Sequence, residues 1–174
     1  MKRFATLAMA AAAAGLTAGC GYHVSGHGDL MPKTVKTIAV MPFANITVRY
    51  QLARMLPAEI GHEFITRTKY HIVADATQAD AVLTGTLSNF AYYPTIFDPV
   101  SGRATAVDVI VTLQVTLTNR ATGTAIFSRS GWEFRDRYEI SIDPKAYFDE
   151  SGPAMQRVSR DASRSIVSAI LEAF

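Results

Sequence analysis

The sequence holds a single cysteine and a single tryptophan in 174 residues, and it carries none of the usual constellations of catalysis. With Cys20 alone, no internal disulfide can close and no CxxC redox pair can form. There is no Gly-x-Ser-x-Gly elbow for a serine nucleophile and no glycine-rich phosphate loop. His62 and Glu63 begin a metalloprotease-like helix pattern, but Thr66 stands where the second histidine is required. The other histidines, His23, His27 and His71, are scattered, so structural or solvent-facing roles outweigh a metal site. No lysine or arginine run is present, which leaves nucleic acid without an electrostatic footprint. The expectation is a protein that binds, with no enzyme activity, metal or cofactor.

What is there begins at the amino terminus. Lys2 and Arg3 precede an apolar and small-residue stretch from Phe4 to Leu16, which has the length of a secretory h-region and is too short to span a bilayer. Leu16-Thr17-Ala18-Gly19-Cys20 follows. It resembles the bacterial lipobox, except that Thr17 occupies the position where leucine is commonest. Residues 1–19 are therefore expected to be a removed signal peptide and Cys20 the site of lipid attachment, the alternative being a free thiol beside an ordinary cleavage site. Gly21 in place of aspartate favours the outer membrane, by resemblance to bacterial sorting rules. Loss of Lys2 and Arg3 takes the 17 basic residues to 15, equal to the 15 acidic ones, so the mature chain is neutral. About 155 residues remain, which suits one domain with one core.

Residues 20–36 read as a lipidated tether and 37–174 as a single domain. Thr37 to Phe43 is a short apolar strand closed by Asn45. Leu52, Leu56, Ile60 and Phe64 recur at helical spacing, and Pro57 is expected in the first turn of a helix beginning near Leu56, with Arg49 to Met55 as a separate lead-in. Tyr70 to Val73 forms a second strand, and this strand–helix–strand order suggests a parallel pair. Three long segments then alternate, which marks an antiparallel meander. The first runs from about Ala81 to Phe97. The second places Val107, Val109, Val111, Leu113, Val115 and Leu117 on one face. The third alternates Trp132, Phe134, Tyr138 and Ile140 with Glu133, Arg135, Arg137 and Glu139, and leaves Asp136 on the apolar side. A last amphipathic helix follows a loop from Ser141 to Pro153. The predicted fold is α+β: a two-layer sandwich with a mixed four- to five-stranded sheet, a long antiparallel meander and two helices on one face.

Within that layout the turn from Asp98 to Gly102 and the Ser141 to Pro153 loop lie at the same end of the meander. Arg103 and Lys145 are then spatial neighbours. Two cations beside an apolar tip suit the phosphates of an amphiphile, and the bland alternative is a pair of solvated turn residues. The aromatics Phe90, Tyr92, Tyr93 and Phe97 read more readily as cross-strand packing than as a partner surface.

Cys20-Gly21-Tyr22-His23-Val24, Ile38 to Asn45, Ala79 to Leu87 and the Gly102 to Leu117 strand together resemble the LPS-assembly lipoprotein family, LptE. That resemblance implies a lipoprotein, lipid-anchored on the periplasmic side of the outer membrane, that plugs a large LptD-type β-barrel, helps assemble it and assists lipopolysaccharide delivery. It also implies lipopolysaccharide binding, for which Arg103 and Lys145 are the candidate residues. Ile38 to Asn45, the following helix and Tyr70 to Val73 are similar as well to the curli-secretion (CsgG) domain, which would imply a pore or scaffold built from copies of itself.

Overall fold

The computed structural model describes residues 31–32, 34–140 and 151–173. Strand β1 (Thr37–Val40) is short because Pro42 has no N–H to continue a ladder. The chain rejoins the sheet at once as β2 (Ala44–Asn45), parallel to a later strand. This two-residue strand raises the sheet to six strands, one more than the alternation of apolar residues announces, because two residues are too few to show a period.

Helix α1 spans Tyr50–Arg67 without a break and carries Pro57 inside it. The segment expected as a separate lead-in is part of the helix, since Leu52, Ala53 and Leu56 are buried on the same stripe as Ile60 and Phe64. An internal proline costs about 3 kcal/mol. Full burial of Leu52 and Leu56 returns roughly 1.5–3 kcal/mol each, so packing outweighs the missing hydrogen bond.

Strand β3 (His71–Val73) pairs parallel to β1, and β1 pairs parallel to the start of β4 (Ala81–Phe97). β4 then folds back on β5 (Ala104–Asn119), and β5 on β6 (Ala125–Glu139), both antiparallel. The sheet order is β3-β1-β4-β5-β6, with β2 beside β4. β5 is the strand with the unbroken sequence period, and it runs between two neighbours that carry bulges. Ser88 and Thr95 are the extra residues on β4. On β6 the register shifts near Gly131, whose φ of 65° is a conformation that suits glycine.

Helix α2 (Ser151–Glu172) starts with Pro153 in its first turn, inside the segment expected to be loop. Its buried stripe includes Ala154, Val158, Ala162, Ile166 and Ile170. It lies beside α1 on one face of the sheet, and the apolar side chains of both helices form one core with Ile38, Leu83, Leu87, Val111, Leu113 and Leu117. Glu63 of α1 ties the outer surfaces together, standing 3.8 Å from Arg67 and 3.5 Å from Arg164, while Arg67 donates to Ser168 at 2.9 Å. Met31 and Val35, ahead of β1, are buried as well.

Asp80 fastens the end of the sheet where β1 starts. Its carboxylate accepts from the backbone N–H groups of Lys36 (2.8 Å) and Thr37 (3.0 Å) and from the Thr37 hydroxyl (2.9 Å). These bonds hold the carboxyl below the usual range, the Lys36 N–H first among them. Arg120, just past β5, donates its N–H to the Asp80 carbonyl and its Nε to Ala79. The described chain therefore enters at the end opposite the β4–β5 turn.

Candidate functional site

The meander carries opposite chemistry on its two faces. Facing the helices, Val109 and Val111 pair with Tyr92 and Phe90 on one side and with Asp136 and Phe134 on the other. Asp136 is explained by α2, from which Arg157 donates its Nε at 2.8 Å. Its acidic side chain on the apolar face is an anchor for the helix. On the other face Asp108 receives Arg137 at 2.6 Å, Arg135 meets Glu133 at 3.1 Å, and the Thr116 and Ser128 hydroxyls lie 3.1 Å apart. The Arg137 hydrogen bond lowers the pKa of Asp108, and Asp108 in turn raises that of Arg137. This outer face is a ladder of paired charges and hydroxyls that water can surround.

At the tip the Asp98 carboxylate accepts from the Ser101 N–H and hydroxyl, each at 2.6 Å, and from the Val100 N–H at 3.2 Å. Those bonds, the Ser101 hydroxyl foremost, hold its carboxyl below the ordinary range. Gly102 supplies the φ of 67° that closes the turn. Arg103 follows on this fixed turn with its side chain exposed, outside every ion pair among the described residues. The Ile140 N–H donates to the Thr105 carbonyl at 2.8 Å, so the chain leaves β6 beside the Arg103 tip, as the strand directions require. Lys145 and Cys20 lie outside the described residues.

Exposed apolar side chains gather at this same end. Tyr92, Tyr93, Ile96 and Phe97 are each more than half exposed, and Val100 is 94% exposed. Of the four aromatics weighed in the sequence, only Phe90 packs against the core. Tyr92 shares the face of buried Val109, whereas Tyr93 pairs with Asp108 on the outer face, and both are exposed. Ile46 and Val48, ahead of α1, and Tyr50, its first residue, are exposed as well. Arg49 sits among them with its guanidinium 5.1 Å from the Phe90 ring and 5.9 Å from the Tyr92 ring. Sequence reasoning missed Arg49, whose only signal was its place between apolar neighbours. Among the described residues no cluster of three metal-binding side chains occurs, and no helix is long and apolar enough to cross a membrane.

The sequence model of the LptE family, described as lipopolysaccharide-assembly, matches residues 35–170. Comparison with curated proteins finds no match. Among solved structures, lipoprotein B of Nitrosomonas europaea superposes with a TM-score of 0.55 at 16% identity, over 88% of this chain and 94% of that one. A protein from Xanthomonas campestris gives 0.54 at 13% identity, over 83% and 89%. A candidate lipoprotein from Caulobacter crescentus CB15 gives 0.53 at 14% identity, over 76% and 88%. At these identities the likeness is one of fold.

Proposed function

This chain belongs to the LptE lipopolysaccharide-assembly family, and from that premise we propose that it is an outer-membrane lipoprotein that plugs an LptD-type β-barrel. It is anchored through lipid on Cys20 at the periplasmic side, helps the barrel assemble, and serves lipopolysaccharide transport and insertion at the cell surface. Its role is to bind and to scaffold, without catalysis. The observation that carries the reading is the meander, with its water-compatible ladder on the outer face and an apolar tip bearing the exposed Arg103. The interior of a large barrel is polar and wet, so the ladder can stand there while the tip meets an amphiphile. Arg103, with Lys145 a few residues past β6 in the sequence, suits the phosphates of such a molecule. The lipid and the barrel contacts together give the two attachments that durable anchoring needs.

The test is affinity purification of the tagged full-length protein from detergent-solubilised outer membranes, with mass spectrometry of the intact complex and of the peptide beginning at Cys20. The expected result is an equimolar complex with one large barrel protein, a diacylglyceryl-modified Cys20, and lipopolysaccharide crosslinks at Arg103 and Lys145. A ring of identical copies without a barrel would replace this reading with that of a pore subunit.

A further inference from the structure

β4 pairs with β5 from Ala81 to Phe97, but its other side is occupied only at the start. β1 covers Ala81 to Leu83, and β2 covers Thr86 and Leu87. The Met41 and Ile46 N–H groups close those pairings on the carbonyls of Leu83 and Leu87. Past Leu87 no described strand lies on that side. The segment after Ile46 forms no strand there, and the Arg49 guanidinium lies over the faces of the Phe90 and Tyr92 rings. Among the described residues an edge of roughly 30 Å, at about 3.3 Å per residue, is therefore open from Ser88 to Phe97.

The two edges of the meander are built differently. β6, also an edge, carries Arg129, Glu133, Arg135, Asp136, Arg137 and Glu139, and it is bulged at Gly131. Such charges are a device by which natural sheets refuse a further strand, and since both edges carry bulges it is charge that distinguishes them. From Ser88 to Phe97 there is no Lys, Arg, Asp or Glu, while Tyr92, Tyr93, Ile96 and Phe97 stand exposed. The guards here are Pro94, which a sheet tolerates at an edge, and the bulges at Ser88 and Thr95, which bracket a regular run from Asn89 to Pro94.

We propose that this open edge of β4 receives an added strand: an extended segment without formal charge, contributed by the barrel partner. The assignment rests on the plug reading above. Backbone groups of the edge supply the ladder and the exposed aromatic and aliphatic side chains supply pockets for alternate residues of the segment. A charged strand would strip water from its own ions against Tyr92, Ile96 and Phe97 without giving them a partner. A second copy is the poorer occupant. Its own β4 would bring a second Pro94 into a short ladder, and its β6 would bring the charged, bulged edge.

A photo-reactive amino acid placed singly at Asn89, Ala91, Tyr93 and Thr95 of the full-length chain, followed by purification from outer membranes and mapping of adducts, tests this. The expected adducts fall on one contiguous partner segment lacking Asp, Glu, Lys and Arg, enriched at least tenfold over any other site. They advance along that segment as the label advances along β4. Adducts scattered over the barrel, confined to lipid, or joining two copies of this chain, with the barrel complex intact, overturn the strand addition and leave the plug reading standing. Recovery of no barrel from the unlabelled protein overturns both.

Discussion

Gly85 is the residue at which the sheet makes room for the crossing between β1 and β2. The Phe43 ring lies against its Cα, and a Cβ there would fall inside the van der Waals envelope of that ring. Phe43 is itself buried, so the ring can retreat only by disturbing its neighbours. Gly85→Ala is expected to destabilise the domain by about 1–3 kcal/mol, the usual range for overpacking. Chemical denaturation of the two proteins measures it. The double variant Phe43→Leu with Gly85→Ala should recover part of the loss, since the two sites share one volume; additive losses would show that the ring is not the obstacle. The glycine was visible in the sequence, yet its role was not, because Phe43 and Gly85 meet only once β2 turns back beside β4.

Among the elements, β5 was the most legible, because a central strand with one buried face must alternate strictly. The meander and both helices followed from periodicity in the same way, and the parallel pair from the strand–helix–strand order. Legibility failed where two local rules pulled in opposite directions. Pro57 signals a helix start, while Leu52 and Leu56 continue the buried stripe on its amino-terminal side; the tertiary burial won. Restoring the backbone donor tests that balance: Pro57→Ala should stabilise the fold by about 1–3 kcal/mol, by removing the ring clash and returning the bond to the Ala53 carbonyl. An unchanged or lowered melting temperature would mean that the proline is accommodated at no cost. At the tip, the turn and the direction of β6 were readable from sequence. The open edge was not, since it depends on where β2 stops.

Four carboxyls distributed over the molecule, Asp75, Asp80, Asp98 and Asp108, all have lowered pKa values because they accept hydrogen bonds in the folded chain. A carboxyl whose folded pKa lies below its unfolded value near 3.9 adds stability that is complete above that value. It disappears as the pH falls through the folded pKa. The whole domain should therefore weaken on acidification below about pH 5. Asp80→Asn should be less stable at neutral pH and show a flatter decline than the parent, measured by urea denaturation from pH 7 to pH 3. Parallel curves would exclude Asp80 as a source of the slope. Acid thus acts at both ends of the sheet, through Asp80 where the described chain enters and Asp98 at the tip, and the tip answers to a further constraint. From Tyr92 to Thr105 no side chain is buried, so changes of length there leave the core untouched. An odd insertion in either arm, however, exchanges the two faces for every residue beyond it. Evolution can therefore lengthen or shorten this hairpin freely, but only in matched steps of two or with a compensating bulge, which makes its reach a heritable variable independent of the fold that carries it.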